Sequence, residues 1–349
     1  MDFNSSIHPL LKNHLQNYKC ANSNIFIFLV KINQSDEKVY DIIGDIHGEA
    51  ETLKKLLNHL GYTEGELGYS HPERKAVFVG DFVDRGPEIF KTLSIVMKMV
   101  TSGNAYAVVG NHELNVLAYY TKDSDGLFLR DHNLKNKTQI KKTYEEFKLD
   151  KVKRKKYLKW LRSLPIFLEL DGFRVVHASW DDEAVEIIKK ENPENRLSKK
   201  FLRRIYFERG KVFNALMLLL KGREFTMPDD MVLKDGYGFK RTAYRIKWWE
   251  PMQGKGFEDI SFGNRFKLPN YTIPRELCYD IPTYPKDELP VFFGHYCLNG
   301  KAGVIRENLC CVDGCIANGG IMVAYRWNGA PLDAKNLVKV DKVKKVESL

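Results

Sequence analysis

Three short glycine-rich motifs constrain the fold of this 349-residue chain more than any other feature. In chain order they are residues 44–48 (GDIHG), 80–86 (GDFVDRG) and 110–113 (GNHE). Each motif follows a short run of residues that favour strands and precedes apolar residues at helical spacing. Ligands of open α/β sheets bind beyond the carboxyl ends of the strands, so we expect the three loops to meet at one site.

The rest of the chain continues this alternation of β-rich runs and amphipathic helical runs, which predicts an α/β fold. The predicted strands are residues 39–43, 75–79, 105–109, 173–176, 291–293, 309–312 and 321–327. Helical spacing follows the first three strands from Ala50, Pro87 and His112, and residues 143–162 predict one long helical section. The glycine-rich tract between the last two strands predicts a hairpin turn.

The three motifs carry side chains that suit a metal site. They supply the carboxylates of Asp45 and Asp81, the amide of Asn111 and the imidazoles of His47 and His112. Two more histidines, in the segments VVHAS (175–179) and FFGHY (292–296), follow predicted strands. A set of carboxylate, imidazole and amide ligands without a thiolate suits manganese, iron or zinc. Two such ions about 3.5–4 Å apart can share a hydroxide and neutralise phosphoryl oxygens.

Together, these motifs resemble those of the calcineurin-like metallophosphoesterase family, in particular its phosphoprotein phosphatase branch. The resemblance is dense over residues 40–113 and returns at 175–180 and 291–325. It implies a four-layer α/β fold, in which two facing mixed β-sheets are flanked by helices and hold two divalent metal ions at one edge. We expect Mn²⁺, with iron or zinc as alternatives.

The resemblance also implies a role for individual residues. The implied metal ligands are Asp45, His47, Asp81, Asn111, His177 and His295. Among them, Asp45 and His47 would hold the first ion, and Asp81 would bridge both. His112 would act as general acid, held by Asp84, and Arg85 would grip the phosphate. A second phosphate-binding arginine has no clear motif, and Arg241 and Arg245 are the candidates.

The fourth motif departs from the eukaryotic pattern, because His177 is followed by Ala178, Ser179 and Trp180 where glycines are usual. This favours a bacterial-type serine/threonine phosphatase or a diadenosine tetraphosphatase-like enzyme. The expected reaction is hydrolysis of phosphate monoesters, including phosphoserine or phosphothreonine in proteins, by a metal-bridging hydroxide. The alternative is a dinucleoside polyphosphate hydrolase. A catalytically silent binding protein is a third hypothesis, although the complete ligand set speaks against it.

Domain boundaries follow from where the motifs stop. We expect an N-terminal extension over residues 1–36 and a metallophosphoesterase domain over 37–334. Within that domain, a helical then irregular insertion over about 181–290 would shape the substrate cleft. Residues 335–349 predict a mobile basic tail.

Nearly all of the net charge of +10 lies in residues 134–162, which contain twelve Lys or Arg and three Asp or Glu. We interpret this stretch as a solvated helix face, so no nucleic-acid partner is expected. The apolar run over residues 25–30, which no other run exceeds in length, is too short to cross a membrane, and no secretory signal opens the chain. These features predict a soluble cytoplasmic protein whose partners are its phosphorylated protein or nucleotide substrates; the oligomeric state stays open.

The six cysteines lack the paired spacing of a zinc site, so we expect buried free thiols in a reducing compartment. Trp248 and Trp249 could flank a ligand, but core packing is the preferred interpretation. Glu113 is equally consistent with supporting a metal ligand and with an ordinary first helical turn. For Asp313, capping a turn is preferred over contacting a ligand.

Overall fold

The computed structural model describes residues 39–227, 233–234, 240–262, 268–278, 283–298 and 301–344. The predicted extension, residues 1–36, lies outside the described residues. In chain order the described strands and α-helices are β1 (Val39–Ile43), α1 (Ala50–His59), β2 (Thr63–Gly65), β3 (Gly68–Ser70), β4 (Arg74–Phe78), α2 (Ile89–Thr101), β5 (Ala105–Ala107), α3 (Asn111–Tyr119), α4 (Leu134–Gln139), α5 (Lys141–Leu149), α6 (Lys151–Leu161), β6 (Phe167–Leu170), β7 (Phe173–Val176), α7 (Asp182–Glu191), α8 (Lys199–Glu208), α9 (Lys211–Lys221), β8 (Glu224–Thr226), β9 (Leu233–Lys234), β10 (Lys240–Arg241), β11 (Ala243–Arg245), α10 (Phe257–Ile260), β12 (Val291–Phe293), β13 (Gly303–Arg306), β14 (Leu309–Cys311), β15 (Ile321–Trp327) and β16 (Leu337–Asp341).

Two mixed five-stranded sheets form the centre of the fold. The first has the order β16-β15-β1-β4-β5, in which β1, β4 and β5 run parallel and β15 pairs antiparallel to β1. The second has the order β13-β14-β12-β7-β6, with β12 parallel to both β7 and β14. The predicted α/β class with two mixed sheets is therefore confirmed.

The sheets face each other across an aromatic core. Phe292 of β12 lies with its ring centre 5.1 Å from that of Tyr325 in β15, and Tyr40 of β1 lies 5.3 Å from Phe173 of β7. Successive strand residues point to opposite faces, so the next residue, Phe293, packs on the other side of its sheet against Trp248, Trp249 and Tyr296. Burying each large aromatic ring contributes about 1.5–3 kcal/mol to folding.

The predicted helical section 143–162 is two helices rather than one. Helix α5 ends at Leu149 and α6 begins at Lys151, with Asp150 between them. The Asp150 carboxylate accepts hydrogen bonds from the backbone N–H groups of Val152, at 3.0 Å, and Lys153, at 2.8 Å. An aspartate at this position caps a new helix, which explains the break.

The predicted hairpin between residues 309–312 and 321–327 is wrong. Strand β14 belongs to the second sheet and β15 to the first, so the glycine-rich tract crosses between sheets. Gly314 permits this crossing, because a Cβ there would lie 2.3 Å from the carbonyl oxygen of Ile321. Local turn chemistry alone does not reveal which sheet the next strand will join.

The predicted mobile tail begins too early, because residues 337–341 form the edge strand β16. It pairs antiparallel with β15 over five residue pairs, from Ile321–Asp341 to Tyr325–Leu337. Lys342 then forms an ion pair with Glu49, at 2.7 Å. The alternating apolar residues of this short basic segment therefore belong to an edge strand and not to a mobile tail.

The expectation of free thiols is correct for Cys310 and Cys311 and wrong for another pair. Cys310 and Cys311 are buried and free, whereas Cys297 and Cys315 form a disulfide across Cα atoms 4.8 Å apart. Cys297 follows β12 and Cys315 follows β14, and these parallel neighbours bring the two loops together. The 18-residue separation in sequence gives no local signal of this pairing.

Helices α7–α9 and the segments after them occupy the region predicted as an insertion, whose limits stay a prediction. Trp248 and Trp249 are buried there and pack on Phe293, at 5.2 and 5.5 Å between ring centres. They are core residues, in agreement with the preferred interpretation of the sequence. In the part of the chain that the structure describes, no helix combines the length and apolar character needed to span a bilayer.

Candidate active site

The loops at the carboxyl ends of strands from both sheets meet at one edge of the molecule. Asp45 follows β1, Asp81 follows β4, and Asn111 opens α3 directly after β5. The second sheet contributes His177 after β7 and His295 after β12. Parallel strands end at the same edge, which is how residues 250 positions apart, such as Asp45 and His295, come into contact.

Strained backbone is concentrated at this edge. Among the described residues, eight that are not glycine have positive φ, and five of them lie here. They are His47 (49°), Asp81 (52°), Asp84 (67°), Arg85 (69°) and His295 (62°). Left-handed backbone is unfavourable for such residues, and its clustering is typical of functional sites.

Two glycines allow the loops to approach closely. A Cβ on Gly110 would lie 2.2 Å from Asp81 Oδ1, and a Cβ on Gly294 would lie 2.1 Å from Asp45 Oδ1. Any side chain at either position would displace a carboxylate of the site.

The Asp81 carboxylate lies between two histidines. Its Oδ2 is 3.6 Å from His47 Nε2, and its Oδ1 is 3.4 Å from His177 Nε2. Burial acts to raise the pKa of Asp81, but His177 and His112 hold that pKa well below its usual value. The group is therefore a carboxylate, with one oxygen directed to each side.

Backbone carbonyls select the tautomers of three histidines. His47 Nδ1 donates to the carbonyl of Val83 at 3.0 Å, and His177 Nδ1 donates to that of Val79 at 2.8 Å. In His295, Nε2 donates to the carbonyl of Lys221 at 3.1 Å. Because a carbonyl can only accept, the other ring nitrogen of each histidine carries, whenever the ring is neutral, the lone pair that a metal ligand requires.

Asp45 is surrounded by negative charge. Burial, with Asp313 and Asp81 nearby, raises its pKa well above the usual value, and burial also raises the pKa of Asp313 to about 6. Asp45 accepts weak hydrogen bonds from the backbone N–H of His295, at 3.2 and 3.3 Å. Buried carboxylates so close together need a cation to be stable in the charged form. This donor chemistry fits divalent metal ions.

Two groups of donor atoms could each hold a metal ion, and both contain Asp81. One consists of His47, Asp81 and His112, and the other of Asp81, His177 and His295; in each group the ligand atoms lie within 4.8 Å of one another. Asp45 lies beside the first group, with Oδ2 3.9 Å from His47 Nε2. Asn111 Oδ1 lies beside the second, 2.9 Å from His177 Nε2. All six predicted ligands therefore lie around two positions that share one carboxylate.

His112 differs from the other histidines in its partner. Its Nδ1 lies 2.7 Å from Asp84 Oδ2, while Asp84 Oδ1 accepts a hydrogen bond from the Thr143 hydroxyl. Burial acts to lower the pKa of His112, but the carboxylates of Asp81 and Asp84 raise it to about 9. The imidazole is therefore protonated near neutral pH and oriented by a fixed carboxylate.

The predicted arginines lie at different depths. The exposed Arg85 is close enough to His112 for its charge to oppose the raised pKa of that imidazole. Arg245 lies in β11, where its guanidinium is 5.9 Å from the ring centre of Tyr296 and its charge helps to lower the pKa of His295, after burial. Arg241 lies in β10, and its side chain is outside the description. Arg85 thus lies near His112, and Arg245 lies near His295, a predicted metal ligand.

Glu113 supports the loop that carries Asp81, so it is more than an ordinary residue of a first helical turn. Its carboxylate is fully buried and accepts hydrogen bonds from the backbone N–H groups of Asp81, Phe82, Val83 and Gly110, at 2.8–3.2 Å. It thereby fixes the strained loop that presents Asp81. Asp313 both caps a turn, accepting from the N–H of Cys315 at 2.8 Å, and acts on Asp45.

Curated relatives match part of the chain. The asymmetrical bis(5′-nucleosyl)-tetraphosphatase PrpE of Oceanobacillus iheyensis is 32% identical over 139 residues, 40% of this chain and 54% of that protein. The protein of the same name from Halalkalibacterium halodurans is 45% identical over 74 residues, 21% of this chain and 30% of that protein. The chain thus matches about half the length of the first of these relatives and less of the second.

Solved structures resemble the chain over a greater length but less closely. A serine/threonine phosphatase from Saccharomyces cerevisiae covers 91% of this chain and 84% of its own, at 14% identity and a TM-score of 0.48. A cold-active protein tyrosine phosphatase covers 85% and 80%, at 16% identity and a TM-score of 0.48. The calcineurin-like phosphoesterase family model matches residues 40–295, a range that includes every predicted metal ligand. The chain therefore belongs to the calcineurin-like phosphoesterase family.

Proposed function

We propose that this protein is a metal-dependent phosphoric ester hydrolase. Asp45, His47, Asp81, Asn111, His177 and His295 would hold two divalent ions, for which Mn²⁺ is our first choice and iron or zinc the alternatives. When bound, such ions supply a nucleophile at neutral pH and neutralise charge on phosphoryl oxygens. The observation that carries the proposal is the position of Asp81, whose two oxygens face two separate groups of histidines.

His112 is the proposed general acid. Asp84 accepts from its Nδ1–H, so the proton on Nε2 is free to pass to the leaving oxygen of the ester. The hydrogen bond from Nδ1–H to the Asp84 carboxylate stabilises the charged imidazole and so favours the presence of that proton. Thr143 holds Asp84 in turn, because its hydroxyl donates to the Asp84 carboxylate and accepts from the Asp84 backbone N–H at 2.9 Å, which fixes the direction of the transfer.

Arg85 and Arg245 are the proposed phosphate-binding residues. Arg85 lies next to Asp84 with its side chain exposed at the cleft, and its planar guanidinium suits two phosphoryl oxygens. Arg245 approaches from the insertion, close to His295. Arg241 stays a weaker candidate.

Two substrate classes fit this reacting core. Phosphate monoesters, including phosphoserine and phosphothreonine in proteins, are the expectation from the motifs. Dinucleoside polyphosphates are the second candidate, favoured by the names of the curated relatives, which are bis(5′-nucleosyl)-tetraphosphatases. In either class the bond broken is a phosphoryl–oxygen bond. The alkoxide that leaves a phosphoserine takes one proton, whereas the group that leaves a polyphosphate is a stable phosphate anion and needs none.

A substrate panel on protein reloaded with one metal at a time tests the proposal. Phosphopeptide, diadenosine tetraphosphate and an aryl phosphate would be compared after chelation and after addition of Mn²⁺ or Mg²⁺. We expect chelation to abolish hydrolysis and Mn²⁺ to restore it at least as well as Mg²⁺, which uses imidazole ligands poorly. Full activity with Mg²⁺ as the only bound metal would contradict the ligand assignment. No hydrolysis of any substrate by the reloaded protein would favour a silent binding protein.

His112→Asn tests the acid directly. Turnover should fall about 10²–10⁴-fold with both metals retained, and the loss should be larger for a phosphoserine peptide than for a nitrophenyl phosphate, whose leaving group needs no proton. Asp84→Asn should give a smaller loss of the same kind. Equal losses on both substrates would argue against acid catalysis, and loss of metal from His112→Asn would make His112 a ligand.

A further inference from the structure

A groove with basic walls lies between two segments that are distant in sequence. Helix α6 and the residue after it form the first wall, and the start of α8 with the residues before it forms the second. The groove encloses about 630 Å³, and we call it the basic groove. Among the described residues that line it, Glu194 is the one acidic side chain. The cations are Lys155, Lys156, Lys159 and Arg162 in the first wall and Arg196 and Lys199 in the second.

Hydrogen bonds that do not involve the cationic groups hold the two walls together. The backbone N–H of Ile166 donates to the carbonyl of Asn195 at 3.1 Å, and the Asn195 side-chain amide donates to the carbonyl of Phe167 at 2.8 Å. Asn195 makes these contacts with a left-handed backbone, at a φ of 51°. The side-chain amide of Asn192 donates to the carbonyl of Arg196 at 2.9 Å. The basic groove is therefore preformed, with Arg196 fixed relative to the end of α6.

The cations of the basic groove have no acidic partners. In the part of the chain that the structure describes, none of the six forms an ion pair, although ion pairs occur close by in sequence on both segments. The guanidinium of Arg162 donates to two neutral acceptors, the carbonyl of Leu158 at 3.0 Å and the hydroxyl of Thr121 at 3.3 Å. Its buried Nε has no hydrogen-bond partner. The positive charge of the groove is thus available to an anion from outside.

The sequence places several of these cations against the preferences of the helices that carry them. Lys155 and Lys159 are four residues apart on α6, where like charges repel each other. Lys199 and Lys200 occupy the first turn of α8, beside the positive end of the helix dipole, and no acidic residue shares that turn. Both arrangements destabilise the helices, and a bound anion would relieve both. Local preferences are broken in this way mainly at functional surfaces.

An extended acidic peptide matches the basic groove better than a nucleic acid does. Successive side chains of an extended chain point to opposite sides, so a run of Asp and Glu presents carboxylates to both walls at once. Proteins that bind single-stranded nucleic acid stack the bases on aromatic side chains, and none of the described residues that line the groove is aromatic. Residues 1–38 of this chain contain four Lys and three Asp or Glu, so they do not supply such an acidic run.

We propose that the basic groove docks an extended acidic segment of a partner protein. Its carboxylates would contact the first and second walls in alternation. Another face of α6 packs towards the motif at residues 80–86, where the ring centre of Trp160 lies 6.1 Å from that of Phe82. The partner would therefore bind to a different face of the helix from the one that supports the candidate active site. The proposal goes beyond the proposed function and does not depend on the reaction.

Fluorescence anisotropy with a dye-labelled peptide of about eight alternating Asp and Glu residues tests the proposal without turnover. We expect saturable binding to the full chain, which Lys155→Gln with Lys159→Gln should weaken about tenfold, the effect of losing two exposed ion pairs. Arg196→Gln with Lys199→Gln should weaken it by a similar factor, because the second wall contributes equally. No saturable binding, or a loss confined to the variant of α6, would overturn the proposal.

A matched control separates docking from general attraction between opposite charges. Lys301→Gln with Lys339→Gln removes the same charge from two exposed lysines, one before β13 and one in β16. Strand β13 lies at the edge of its sheet opposite β6, the strand that follows the first wall. This variant should change the affinity by less than about twofold, because distant exposed charges are screened. A loss equal to that of the two groove variants would overturn the proposal.

Three further measurements make the outcome decisive. Both groove variants should unfold at the same urea concentration as wild type or a higher one, since they remove like charges. An oligothymidylate of equal charge that binds the groove more tightly than the peptide would overturn the proposal in favour of nucleic acid. A dimer of the wild type that both groove variants dissociate would overturn it in favour of a second copy. Hydrolysis of an aryl phosphate should be unaffected by either variant, so docking and reaction can fail independently.

Discussion

Asp41 and Asp45, four residues apart around the end of β1, are both buried but have opposite surroundings. The Asp41 carboxylate accepts hydrogen bonds from Arg74 Nε at 3.0 Å, Arg326 Nε at 3.2 Å and the hydroxyl of Tyr62 at 3.1 Å. Asp45 faces Asp81 and Asp313 instead. The first carboxylate is satisfied by the protein itself, whereas the second needs a cation from outside. One region of the strand therefore serves stability and the other serves function.

The largest expected effect is that of Asp81→Asn, a substitution in the acidic region around Asp45. Because one carboxylate serves both proposed ions, turnover should fall by more than about 10³-fold, equivalent to the several kcal/mol that metal catalysis supplies. Metal content measured on the purified variant should fall with it. If two metals remained bound with near-normal turnover, the bridging role would be wrong.

Asp41→Asn tests the other region, in which the protein itself satisfies the carboxylate. It leaves the largely buried Arg74 without its anionic partner. The free energy of unfolding should therefore fall by about 3 kcal/mol, the lower end of the range for breaking buried pairs, since Arg74 and Arg326 both keep some exposure to solvent. Urea unfolding of the chelated protein measures this. Turnover per folded molecule should stay within about twofold of wild type; a loss comparable to that of Asp81→Asn would remove the distinction between the two regions.

Asp45→Asn should shift stability in the opposite direction. The raised pKa of Asp45 means that its charged form is disfavoured in the folded protein, and this cost is present above its unfolded pKa, including pH 7. Without metal, the variant should therefore unfold at a higher urea concentration than wild type. Saturating Mn²⁺ should stabilise wild type, by about 2.7 kcal/mol at 100 times Kd, and the variant less. A destabilised metal-free variant would show that Asp45 is structural, like Asp41.

The smallest effect is expected from the basic helix α6, whose exposed charges belong to neither region. Replacing Lys151, Lys153, Lys155 and Lys156 by Gln should leave turnover of an aryl phosphate within about twofold, because exposed charges act through screened fields. Steady-state rates at two salt concentrations would check this. A tenfold loss on so small a substrate would mean that the stretch reaches the site.

The sequence predicted the parts of this molecule that local patterns encode. Strand β1 and the helix from Ala50 follow from periodicity, and the ligand candidates follow from glycine-bounded motifs at strand ends. The hairpin failed because sheet membership depends on long-range packing, not on the glycines of the turn. The Cys297–Cys315 bond joins segments that share no motif, and only the folded chain brings them together.

The left-handed backbone at His47, Asp81 and His295 has a consequence for how this chain can change over generations. An ordinary residue in that conformation costs about 1–2 kcal/mol, a cost that glycine avoids. Selection for stability alone would therefore favour glycine at these positions, and only selection for what the side chains do retains histidine and aspartate. In a gene copy that is no longer selected for this function, substitutions should accumulate first at these strained positions. They should raise the stability of the fold while removing the side chains of the site.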